Sequence, residues 1–65
     1  MSGIKLMGVF VCSVGSTATF QTPSGTYIYH IDKWLAEDIK KKGKHQPGKM
    51  LNVAKKCAYS TSKIN

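Results

Sequence analysis

Tyr27 and Tyr29 flank Ile28 just behind Gly25, and nine of the ten lysines follow them, at positions 33, 40, 41, 42, 44, 49, 55, 56 and 63. Aromatic rings on one strand face stack on flat ligands, at about 1–3 kcal/mol per base. Ammonium groups attract phosphates without reading base edges, a task that favours arginine, and this chain has no arginine. These residue types point to an anionic ligand with an aromatic group: RNA, single-stranded nucleic acid or a nucleotide. The candidate contacts are Tyr27, Tyr29, Trp34, Lys40, Lys41, Lys44, His45, Lys49, Lys55 and Lys56. The lysines around His45 sit between two expected helices, where the free N–H groups opening the second helix also favour anions.

Each candidate has a purely structural alternative. Tyr27 and Tyr29 also suit packing beneath helices with their hydroxyls at the edge, and Ile31 on the same face favours that arrangement. Trp34 lies one position off the Leu35/Ile39 line, as a core aromatic or as an exposed contact. A lysine run is often only a solvated face. Other chemistries find less support. His30, His45, Cys12 and Cys57 lack the CxxC or HxxxH spacing of a zinc site. The three acids, Asp32, Glu37 and Asp38, have no motif-placed histidine beside them, and no phosphate-binding glycine loop of known form is present. The reading is therefore a non-enzymatic binding module, with neither metal nor cofactor implied.

A chain of 65 residues holds a single small domain, a size at which the core is marginal and self-association is a common remedy. The net charge is +7. Residues 1–31 carry one lysine and no acid, whereas residues 32–65 carry nine lysines and all three acids, a net +6. Such an excess favours anionic partners. No apolar run approaches the roughly 18 residues of a membrane span. The opening residues through Val14 read as a strand rather than a leader, because Gly8 and Ser13 interrupt the apolar stretch. Cys12 and Cys57 are expected as buried, reduced thiols in a cytoplasmic protein.

The elements that must position these groups follow in order. Residues 4–14 are rich in Val, Ile and Phe, with apolar side chains on both parities, as in a strand buried on both faces or packed on a partner chain. Gly15-Ser16 marks a turn. Residues 17–22 alternate, turning Ala18 and Phe20 one way and Thr17, Thr19 and Gln21 the other. Pro23-Ser24-Gly25 is a type I turn signal, and residues 26–31 return with Tyr27, Tyr29 and Ile31 on one face. Asp32 is placed to cap a helix over residues 33–42, whose final lysines complement its dipole, with Gly43 as a left-handed stop. Pro47 suits the first turn of a second helix that brings Met50, Ala54 and Cys57 together over residues 49–58. The tail from Tyr59 is expected to fray. The fold class is α+β: a three-stranded antiparallel meander followed by two helices packed on one face.

Over roughly residues 18–60 this order resembles the KTSC domain, a short module of some lysyl-tRNA synthetases that also occurs alone in bacteria and phages. The likeness is carried by Gly25-Thr26-Tyr27-Ile28-Tyr29, then by Gly48, Leu51, Asn52 and Tyr59 at matching spacing. Asp32-Lys33-Trp34 stands where the family often has a Val-Pro step, residues 42–48 look like an insertion, and Lys55 replaces a commonly apolar position. The resemblance implies an RNA-binding role, adds Asn52 to the candidate contacts, and implies no catalytic residue.

A second class of function fits the same composition. A small, lysine-rich chain without arginine suits a phage-encoded inhibitor or adaptor that binds a host protein through its first strand and Trp34. A related form sequesters a nucleotide immune signal, with sites between the chains of a homo-oligomer.

Overall fold

The computed structural model describes residues 8–64. Six elements succeed one another: β1 (Val9–Val14), β2 (Thr17–Thr22), β3 (Gly25–His30), α1 (Lys33–Lys42), α2 (Pro47–Cys57) and β4 (Ser60–Ile64). The strands form one antiparallel sheet in the order β1-β2-β3-β4, and the class is α+β. Gly15 supplies a positive φ of 61° at the first position of the two-residue β1–β2 turn, where a type II′ hairpin requires glycine. In the β2–β3 turn, Thr22 pairs with Gly25. The Thr22 hydroxyl donates to the Gly25 carbonyl at 2.9 Å and accepts the Ser24 N–H at 3.1 Å.

Phe10, Phe20 and Tyr27 lie side by side across the first three strands, and Ser13, Ala18 and Tyr29 form the next row. Both rows face the helices. Phe20 and Ile39 are fully buried, joined by Ala18, Tyr29, Ile31, Leu35, Ala36, Met50, Leu51 and Ala54. Burying one such large apolar side chain contributes about 1.5–3 kcal/mol. The Ser13 hydroxyl, caught beneath α1, donates towards the carbonyl oxygens of Ala36, at 2.6 Å, and Thr17, at 2.8 Å.

The other face carries Val9, Gln21, Thr26 and Ile64 in one row, Cys12, Thr19, Ile28 and Ser62 in the next, and Val14, Thr17, His30 and Ser60 in the third. None of these is a lysine, an aspartate or a glutamate.

Several expectations are corrected. The meander has a fourth strand where a frayed tail was expected. Every residue of β4 is exposed, so it leaves no burial pattern in the sequence; its backbone pairs with β3 from Thr26–Ile64 to His30–Ser60. The first strand begins at Val9, and residues 4–7 of the expected strand lie outside the described residues. Apolar side chains occur on both parities of β1 because the register shifts between Phe10 and Cys12. Val11 is the extra residue of that bulge, which turns Phe10 and Ser13 to the same face. Cys12 and Cys57 are exposed free thiols rather than buried ones: Cys12 is on the helix-free face, and Cys57 ends α2, past the last buried residue of that helix, Ala54.

Asp32 has the extended backbone of an N-cap but makes no side-chain cap. Its carboxylate accepts the Tyr59 hydroxyl instead. Gly43 is right-handed, at φ −60°, so glycine there answers a different need. A Cβ would stand 2.6 Å from the Phe10 ring. Pro47 occupies the first turn of α2 as expected.

Candidate functional site

The two-residue period of β3 turns Tyr27 and Tyr29 to the helix side. There α1 packs over β1 and β2, α2 packs over β1, and Lys55 of α2 reaches across to the β3–β4 half. The result is a cleft of about 320 Å³ lined by Thr22, Ser24, Tyr27, Tyr29, Lys55 and Thr61, at the small end of ligand-site volumes. Tyr29 is 5% exposed and forms the floor. Its ring meets Phe20 edge-on at 6.1 Å and lies 6.3 Å from the Tyr27 ring at an interplanar angle of 29°. Tyr27 is half-buried, packed against the core on one side.

Cations reach this cleft from two elements. Lys55 projects from α2. Lys63 lies opposite Tyr27 across the β3–β4 pair, its Nζ 5.8 Å from the Tyr27 ring centroid, within cation–π range. Gly25 keeps room for that lysine, since a Cβ there would stand 2.8 Å from Lys63 Cε. The Tyr29 hydroxyl is pushed above its usual pKa by burial and then by Tyr27. It therefore stays protonated at neutral pH, able both to donate and to accept a hydrogen bond. The lining holds hydroxyls, aromatic rings and an ammonium group, and no carboxylate, imidazole or thiol.

Of the residues singled out in the sequence, Tyr27, Tyr29 and Lys55 meet here. The others do not. Lys40 and Lys44 lie beside β1, at the far edge of the sheet from β4, where they wall a groove of about 340 Å³. Lys41, His45, Lys49, Asn52 and Lys56 are exposed and line neither feature. Trp34 is 67% exposed near the start of α1, which decides between its two alternatives in favour of an exposed side chain. Leu35, Ala36 and Ile39 fill the buried face of that helix and leave Trp34 outside it. The expected continuous basic patch is thus divided between two edges.

Thr22, Ser24, Thr61 and Lys63 were missed. The first two belong to a turn whose signal was read only as structure. The last two sit on a strand with no apolar pattern. Among the described residues, no three His, Cys, Asp or Glu side chains gather as a metal site would need, and no helix is long and apolar enough to cross a membrane. No family model, curated protein or solved structure matches the chain.

Proposed function

We propose that this domain is a non-enzymatic binding module for a nucleotide or a short single-stranded nucleic acid, held in the Tyr27/Tyr29 cleft. The observation that carries the reading is the convergence of a half-open Tyr27 ring with two ammonium groups, Lys55 and Lys63, delivered by separate elements. A base stacks on Tyr27, which Tyr29 and Phe20 brace from behind. Phosphates lie towards Lys55 and Lys63, and the hydroxyls of Thr22, Ser24 and Thr61 complete the rim. The lining of hydroxyls, aromatic rings and one ammonium group suits the binding of a flat anionic ligand. The resemblance to the KTSC domain supports the same site, because Tyr27 and Tyr29 line this cleft and Gly25 lies against Lys63 beside it. Two exposed free thiols suit a reducing compartment such as the cytoplasm.

The test is a titration with octauridylate and with the common mononucleotides, read by fluorescence anisotropy and calorimetry at several salt concentrations. Binding should weaken steeply with salt, and Lys55→Gln or Lys63→Gln should each flatten the log–log slope by about 0.7 for a single strand. Affinity that is flat with salt, or unchanged in both variants, would overturn the reading.

A further inference from the structure

The opposite edge of the sheet has a different character. Beyond β1 no strand follows among the described residues. Val9, Val11 and Val14 are 56%, 51% and 70% exposed. The groove noted above runs along five consecutive residues of this strand, Phe10 to Val14, and Lys40 and Lys44 form its wall. Neither lysine is in an ion pair among the described residues. The nearby helical acids are partly committed: Asp38 holds Lys42 at 3.3 Å, and Glu37 shares a neighbouring cleft with Lys33 and Lys40. The edge therefore combines outward backbone N–H and C=O groups, exposed β-branched side chains and an excess of positive charge.

An open strand edge accepts another extended chain through backbone hydrogen bonds, with alternate side chains setting specificity. Here charge decides which chain. A second copy laid edge to edge would bring its own Lys40 and Lys44 onto this pair, between molecules that each carry +7. That repulsion rejects self-addition and selects an occupant of opposite sign. The period of a strand then sorts its side chains. Those turned to the helix side meet Lys40 and Lys44; those turned away extend the helix-free face beside Val9, Cys12 and Val14.

We propose that the β1 edge takes up an extended acidic peptide as a fifth strand, its carboxylates at alternate positions against Lys40 and Lys44 and its β-branched residues continuing the helix-free face. This site is independent of the tyrosine cleft.

The test is an amide chemical-shift titration of the whole chain with an end-blocked eight-residue peptide alternating Glu and Val. The expected result is shifts concentrated in Val9–Val14 and around Lys40 and Lys44, with no binding by the same peptide carrying Lys for Glu. Lys40→Gln/Lys44→Gln should weaken affinity at least tenfold. Lys41→Gln/Lys56→Gln, equal in charge lost, should change it less than twofold, and Tyr27→Ala should leave it unchanged. All substituted side chains other than Tyr27 are exposed, and a melting curve confirms that each variant folds. The proposal is overturned by β1 amides that stay still at millimolar peptide, by equal losses in the two lysine pairs, or by shifts confined to the tyrosine cleft. It is equally overturned if β1 amides shift with protein concentration alone, which would assign the edge to a second copy. Octauridylate engaging Lys40 and Lys44 in place of the peptide would also overturn it.

Discussion

The Phe10 ring occupies the space that a side chain at Gly43 would need, with 2.6 Å between its Cγ and the position of a Cβ there. Gly43 has a helical backbone, so on propensity alone an alanine would stabilise this position by up to about 1 kcal/mol. The contact reverses the sign. Gly43→Ala is expected to lower stability by about 1–3 kcal/mol, the usual range for overpacking. Phe10→Leu should offset part of that loss, giving a non-additive double-mutant cycle. Urea melts of the two single variants and the double variant check this.

The two tyrosines of the cleft should separate by experiment. Tyr29→Ala removes a floor residue packed on Phe20 and is expected to destabilise by about 3–5 kcal/mol, the range for large aromatic truncations. For a domain this small that is most of its stability. Tyr27→Ala should leave a folded protein, losing about 1–3 kcal/mol of base stacking. Thermal melts run beside octauridylate binding distinguish the two losses. A folded Tyr29→Ala protein, or a Tyr27→Ala protein with full affinity, would contradict the assignment.

Tyr59 and Asp32 predict a response to alkali. The Tyr59 pKa is raised above its ordinary 10.0, first by its hydrogen bond to Asp32 and then by desolvation and nearby negative charge. A group whose folded pKa lies above its unfolded value stabilises fully below the unfolded value, and that contribution is lost as pH rises through the folded one. The affected window therefore lies above pH 10. Tyr29, raised by burial and then by Tyr27, acts in the same direction. Tyr59→Phe should melt lower than the parent at neutral pH and converge on it in strong alkali. Melting temperatures measured from pH 7 to 11 test the convergence.

Much of this architecture was legible in the sequence because certain residues carry a local physical signal. Leu35 and Ile39, spaced one turn apart ahead of a lysine run, located α1 at its observed bounds. Pro23-Ser24-Gly25 located the β2–β3 turn, and the alternation of Ala18 and Phe20 identified the inward face. The misses share a cause. β4 pairs through its backbone while all its side chains stay in solvent, so its residues resemble a loop. Gly43 and Asp32 took roles set by Phe10 and Tyr59, partners distant in sequence, and local rules see neither. The lysines read as one patch because neighbours in sequence look like neighbours in space. The fold carries Lys40 and Lys44 to one edge and leaves Lys55 near the other, and it adds Lys63 from the strand that went unseen.

The bulge at Val11 has a consequence for how this molecule stays dispersed. Phe10 and Ser13 both face the helices across the irregularity, so deleting Val11 would leave every inward side chain of β1 where it is. ΔVal11 is expected to fold with a melting temperature close to that of the parent. Its edge, however, would be straight and regularly pleated, a better template for stacking one molecule on the next. Light scattering at high concentration and high salt, where the lysines are screened, should show the deletion variant polymerising while the parent remains clear. The surplus valine then works against continuous sheet growth, while the regular stretch Cys12–Val14 beyond it stays open to a single short strand.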